Sequence, residues 1–274
     1  MTSSSPIGVF DSGLGGLTVL KEIVRLLPEY DFVYLGDNKR APYGPRDFET
    51  VYHYTLEAVN WLFDKGCPLV ILACNTASAK ALRTIQQKDL PRIDPTKRVL
   101  GVIRPTTEVI GDYTETNHIG ILGTKGTIDS ASYVIEIQKS FPDVTVYQQA
   151  CPAWVDLVES GEHLNAKADQ PVQDCLHGLL NQCEGIDTIL LGCTHYPLLL
   201  PKIREFINPA IQLVSQGEIV AESLVAYLRR HSEMEKKLSR EGKIDFFTTG
   251  DTTTFGRAAG AFWGEEVPAQ SASL

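Results

Sequence analysis

Two of the six cysteines stand where chemistry could be done. Cys74 closes the apolar run Leu69-Val70-Ile71-Leu72-Ala73, and Cys193 closes Ile189-Leu190-Leu191-Gly192. Small polar residues follow each, Asn75-Thr76 and Thr194-His195, and then a segment that reads as a helix. A thiol at a strand-to-helix turn lies near helix N-terminal amides, which stabilise a thiolate and lower its pKa. Two such thiols on opposite walls of a cleft could act as a pair. One takes a proton from a carbon, the other delivers a proton to the opposite face, and the stereocentre inverts. No metal and no redox cofactor is needed. A single cysteine nucleophile with a histidine base leaves the second cysteine unexplained. A disulfide between the two would close the cleft.

Other polar groups fall at comparable places. Asp11-Ser12-Gly13-Leu14-Gly15-Gly16 follows the apolar run Ile7-Gly8-Val9-Phe10. Its glycines permit a tight turn and close backbone approach to an anion. The spacing misses the dinucleotide pattern, because Thr18 stands where the third glycine belongs. Asp11 could hold an ammonium group or orient a thiol; its plainer role is to cap the following helix. Pro42-Tyr43-Gly44-Pro45 reads as a binding loop or as an ordinary turn with a packed tyrosine. Thr124, in Gly123-Thr124-Lys125-Gly126-Thr127, could cap a helix or bind a carboxylate. His195 could tune or relay protons for the neighbouring thiol. Glu159, beside Val155 and Val158, reads as a helix-surface residue.

These residues need a frame. Short apolar runs alternate with helical periodicity: Ile7–Phe10, a helix with Leu17, Leu20, Ile23, Val24 and Leu27, then Phe32–Leu35, a helix from Phe48 to Leu62, Leu69–Ala73 and a helix over 77–85. After a proline-bearing connection, Asp89–Pro95, the rhythm restarts with Val99–Ile103, Ile119–Leu122, Val144–Tyr147, a helix over 170–183 and Ile189–Leu191. This order predicts an α/β protein with parallel strands and helices on both faces. Ile7–Gly13 resembles Ile119–Thr124, and Val70–Thr76 resembles Ile189–His195, at similar offsets. The weak repeat predicts two pseudo-symmetric lobes with parallel-rich sheets and a cleft between them, since ligands bind at strand carboxyl ends in such sheets. The expected division is 1–97 plus 212–274 for the first lobe and 98–211 for the second. The tail after Trp263 is expected to be disordered.

Composition narrows the function classes. Lys and Arg number 25 against 34 Asp and Glu, a net charge of −9 over 274 residues. That argues against a nucleic-acid-binding face or a polybasic membrane surface. The opening Met1-Thr2-Ser3-Ser4-Ser5-Pro6 shows no secretory pattern, and no apolar stretch approaches the roughly 20 residues that span a bilayer. A reducing cytoplasm and free thiols are expected. The absence of any C-x-x-C pair leaves no zinc motif, and no metal site is expected. Cys67, Cys175 and Cys183 read as small buried apolar residues.

Taken together, these motifs resemble the glutamate racemases of the aspartate/glutamate racemase family. The resemblance is carried by Phe10–Leu17, Pro42-Tyr43-Gly44, Ala73-Cys74-Asn75-Thr76-Ala77, Gly123–Thr127, Cys151-Pro152, Leu191–Leu198 and Thr248-Thr249-Gly250-Asp251. It runs in order from about residue 6 to 264. It implies cofactor-independent interconversion of L- and D-glutamate by a two-base mechanism, with the D-isomer supplied to peptidoglycan synthesis. By the match, Cys74 deprotonates the D-isomer and Cys193 the L-isomer, and Asp11, His195 and Glu159 assist the thiols. Substrate contacts would come from Asp11, Ser12, Tyr43, Gly44, Asn75, Thr76, Thr124, Thr194 and His195. A homodimer is implied as well. Cys151 is a motif position without an assigned role. The alternatives are a racemase or isomerase of a related acidic compound, such as aspartate, a hydantoin or maleate, and a non-catalytic two-lobe solute-binding protein.

Overall fold

The computed structural model describes residues 5–274. Met1–Ser4, which carry most of the segment read for a secretory leader, lie outside the described residues. Ten strands are present among the described residues: β1 Ile7–Asp11, β2 Phe32–Gly36, β3 Leu69–Leu72, β4 Arg98–Gly101, β5 His118–Gly123, β6 Thr145–Ala150, β7 Thr188–Gly192, β8 Gln212–Val214, β9 Ile244–Thr248 and β10 Ala269–Ser271. They form two parallel sheets, ordered β10-β9-β2-β1-β3-β4 and β6-β5-β7-β8. The stretch β2-β1-β3-β4 has the same order as the whole second sheet. The repeated motifs fall on corresponding strands, β1 with β5 and β3 with β7.

Burial on both faces explains the unbroken apolar runs. β1, β2, β3 and β7 are buried along their whole length. Apolar stripes on the flanking helices cover them. Leu17–Leu26 buries Leu17, Val19, Leu20 and Ile23, and Phe48–Asp64 buries Val51, Ala58, Val59, Leu62 and Phe63. Asp47 starts the longer of these helices by accepting the Thr50 amide at 2.7 Å. The helix Gln216–Arg230 leaves the second sheet and packs on Leu17–Leu26 of the first lobe. One apolar cluster therefore spans both lobes, from Ile7 and Val9 through Trp154 and Tyr196 to Leu191. No helix among the described residues is long and apolar enough to cross a membrane.

Three expectations need correction. First, the lobes do not exchange strands at 97/98 and 211/212: β4 pairs with β3 in the first sheet, and β8 pairs with β7 in the second. Each sheet therefore keeps one more strand, β4 or β8, as its edge before the chain crosses. Second, the connection at 89–95 contains the helix Leu90–Ile93, whose Pro91 sits in the first turn, where proline is tolerated. Third, the tail is ordered. Residues 269–271 add a parallel edge strand to β9, and Val267 and Ala272 are buried on either side of it.

Candidate active site

In each sheet the chain moves from the first strand to one side and then returns to the other. This creates a switch point between β1 and β3 and another between β5 and β7. Asp11 and Ser12 leave the first switch point beside Cys74; Gly123 and Thr124 leave the second beside Cys193. Cys74 and Cys193 are each 6 % exposed, so both thiols are sheltered from water. All six cysteines are free; Cys67, Cys151 and Cys175 are buried and Cys183 is half-buried.

Cys74 precedes the short helix Asn75–Lys80, and its sulfur lies 3.5 Å from both the Ala77 amide and the Ser12 hydroxyl. The amide and hydroxyl favour a thiolate, as expected from the strand-to-helix turn. Burial and the neighbouring charge of Asp11 outweigh them and push the thiol up to about 12. The expected lowering is overturned for this cysteine, because one weak amide contact does not replace the water that burial removes.

The second wall is built differently. Cys193 Sγ lies 3.9 Å from His195 Nδ1, and His195 Nε2 lies 3.0 Å from Glu159 Oε1. Burial disfavours the imidazolium, but hydrogen bonds to Cys193 and Glu159, and the charges of Cys193 and Asp11, raise His195 to about 10. The Phe262 ring stands edge-on to the imidazole at 5.4 Å and fixes its plane. Glu159 ends the helix Ala153–Glu159, so folding brings this surface residue to the thiol's partner.

Asp11 lies within electrostatic reach of both Cys74 and His195. It does not cap the following helix: Gly16 holds that position, and Asp11 Oδ2 instead accepts the Gly13 amide at 3.0 Å. Burial raises its carboxyl, opposed by the charge of His195 and the amides of Gly13 and Gly16. Two buried polar atoms here lack a partner: Asp11 Oδ1, an acceptor, and Asn75 Nδ2, a donor. An orphaned acceptor and an orphaned donor complement the ammonium and the carboxylate of an amino acid.

Threonines link the walls. Thr76 Oγ1 lies 2.9 Å from Thr124 Oγ1, which lies 3.1 Å from Thr127 Oγ1, and Thr124 also receives the Thr127 amide as helix cap. Thr18 donates to the Thr194 carbonyl at 3.0 Å. A Cβ on Gly44 would stand 3.1 Å from Thr124, so this loop backbone reaches the second lobe. Tyr43 itself is buried, and its hydroxyl donates to Asp37 at 2.5 Å. What this loop can offer at the cleft is therefore main chain.

Asp37 escaped the sequence reading. It also accepts Arg40 Nε at 2.6 Å and Thr249 Oγ1 at 2.7 Å, and so joins the Tyr43 loop to the segment after β9. Its position directly after β2, like that of Ser12 directly after β1, is the signal that could have found it.

Residues 7–224 match the family model described as Asp/Glu/Hydantoin racemase. The chain belongs to this family. It is 42% identical over 250 residues to the glutamate racemase of Listeria monocytogenes, covering 91% of this chain and 90% of that protein. The fold is similar to a crystal structure of glutamate racemase from Bacillus anthracis, with a TM-score of 0.89 and 34% identity, covering 99% of this chain and 98% of that one. It is also similar to the Francisella tularensis glutamate racemase solved with D-glutamate, with a TM-score of 0.85 and 27% identity over 99% of this chain and 98% of that one.

Proposed function

We propose that this chain interconverts L- and D-glutamate by two-base proton transfer, with Cys74 and Cys193 as catalytic residues and no cofactor in the reaction. The observation that carries the reading is the pair of sheltered thiols at corresponding switch points, set beside an orphaned buried acceptor and donor. Kinship to glutamate racemases at 42% identity supports glutamate over other acidic substrates.

Asp11 Oδ1 receives the substrate ammonium, and Asn75 Nδ2 receives a carboxylate oxygen. Ser12, Thr76, Thr124, Thr194 and the main chain of Tyr43 and Gly44 complete the binding surface. For L-glutamate, the Cys193 thiolate removes the α-proton with His195 beside it as the stabilising cation, positioned by Glu159. The Cys74 thiol then gives its proton to the opposite face of the carbon. For D-glutamate the roles exchange. An ammonium on Asp11 offsets one of the charges that hold Cys74 protonated, so substrate binding favours the Cys74 thiolate. The developing carbanion has no electron sink. Donors fixed on the α-carboxylate in a site shielded from water stabilise it instead. We further propose a homodimer in the cytoplasm that supplies D-glutamate to peptidoglycan synthesis. Six free thiols fit a reducing compartment.

The test is incubation with L-glutamate in D2O. The expected product is D-glutamate carrying deuterium at the α-carbon, with L-aspartate left unchanged. Turnover of aspartate but not glutamate would overturn the substrate assignment, and absence of exchange from every acid tried would indicate a binding protein. Cys74→Ser and Cys193→Ser should each lower racemisation at least about a thousandfold with little change in thermal unfolding. Full activity in either variant would sink the two-base reading.

A further inference from the structure

A carboxamide can face a ligand with either end, and only its NH2 end attracts a carboxylate. We propose that Tyr133 and Gln216 are positioning residues that fix the Asn75 amide with its NH2 group turned to the cleft. The inference rests on the reading of Asn75 as a substrate contact.

The orientation follows from a chain of hydrogen bonds that starts at a main-chain carbonyl, where no ambiguity exists. The carbonyl of Val102 can only accept, and the Thr106 hydroxyl spends its single proton on it at 2.9 Å. Both groups therefore face Gln216 as acceptors. Gln216 lies 3.2 Å from the Val102 carbonyl and 2.9 Å from the Thr106 hydroxyl oxygen, so the end it presents must be its NH2. That nitrogen has two protons: one is shared between the Val102 carbonyl and the Thr106 oxygen, and the other goes to the Tyr133 hydroxyl at 2.7 Å. The phenol then has one proton left to give, and it donates to Asn75 Oδ1 at 2.5 Å. With its oxygen taken, Asn75 turns Nδ2 the other way, and that nitrogen is the buried donor without a partner.

Every group in this relay is buried, so water does not compete with it. The relay also crosses the molecule. Asn75 stands on the first lobe, Tyr133 on the helix Ser132–Ser140 of the second, and Gln216 at the start of the helix that returns between them. Asn75 is thus held as a donor only when these three elements are docked. Neither Tyr133 nor Gln216 is near either thiol in sequence.

The test is a mutant cycle on the full chain, with initial rates measured for both enantiomers. Tyr133→Phe should raise KM for each enantiomer about tenfold and lower kcat about threefold, because a donor on the α-carboxylate serves both the bound substrate and the developing carbanion. The pH profile should keep its limbs, because the thiols are untouched. Asn75→Ala should also raise KM. In the Asn75→Ala background, Tyr133→Phe should add less than about twofold, because it acts through Asn75 alone. Gln216→Met should follow the same pattern, and it carries the cycle should Tyr133→Phe fail to fold, as thermal unfolding would report. An unchanged KM in Tyr133→Phe, or the same factor in both backgrounds, overturns the relay. An unchanged KM in Asn75→Ala overturns the substrate contact and the relay together. The cycle is run on whichever acidic amino acid the wild type turns over. Failure of the glutamate reading then shows in the wild type alone, and failure of the relay only in the cycle.

Discussion

The surroundings of Cys74 favour its protonated form. The cause is local: burial removes the water that would solvate a thiolate, and Asp11 adds a like charge. A thiol near 12 presents a thiolate fraction that grows with every step of pH below that value. Alkylation of Cys74 by iodoacetamide, read on its own peptide by mass spectrometry, should therefore rise about tenfold per pH unit between pH 7 and 10. Asp11→Asn removes the second cause, so the same peptide should label faster at each pH while keeping a rising profile. A rate that levels off at neutral pH would mean that burial does not govern this thiol. The residue scale is also where the sequence was most legible. Cys74, Cys193, His195 and Asp11 all sit at or just past the carboxyl end of a strand, and their chemistry is written in their types. The sequence misjudged the sign of the Cys74 shift, because a strand-to-helix turn is visible in a sequence and the depth of burial is not.

The elements bring these residues to their working distances by close main-chain approach. The loop after β1 presses on the residues after β7. A Cβ on Gly15 would stand 2.3 Å from Thr194 Oγ1 and 2.4 Å from His195 Nδ1. The imidazole cannot yield cheaply, because the His195 ring is fixed by Glu159 and Phe262. Gly15→Ala should cost about 1–3 kcal/mol of stability by overpacking. It should also lower kcat about a hundredfold by displacing His195 from Cys193. Gly13→Ala is the contrast, because its Cβ would meet Glu159 Oε1 at 3.4 Å, an ordinary contact. Urea unfolding and initial rates would check both, and equal stabilities for the two variants would refute the close-approach argument. Glycines in the Asp11–Gly16 motif announce a tight approach; what they approach lies far along the chain and leaves no local trace. The same holds for Tyr133 and Gln216. Each reads as an ordinary helix residue until folding places it on Asn75 or Val102.

The two lobes are joined by chain segments that pass between them, and the C-terminal stretch completes the sheet of the first. The sequence there shows little periodicity: Gln270 and Ser271 are exposed, and the strand is short. An edge strand needs few apolar residues, because main-chain bonds to one neighbour can hold it. β10 aligns Ala269, Gln270 and Ser271 with Phe246, Phe247 and Thr248. The Val267 amide bonds to Gly256 at 3.2 Å, and the Ala272 amide to Thr248 at 2.8 Å. Val267 packs in the cluster that contains Phe255, and Ala272 in the one that contains Phe247. A chain ending at Gly264 loses these anchors and leaves the outer side of β9 unpaired. Two lost apolar side chains and the strand bonds should together cost about 3 kcal/mol. Calorimetry should show a lower unfolding midpoint, and light scattering should show association through the bared edge beside Phe246 and Phe247. The effect reaches the site as well. Phe262, which stands against the His195 ring, lies in the last turn before this segment, so kcat should fall along with stability. An unchanged midpoint after truncation would mean that β10 only lies against the sheet and does not hold it.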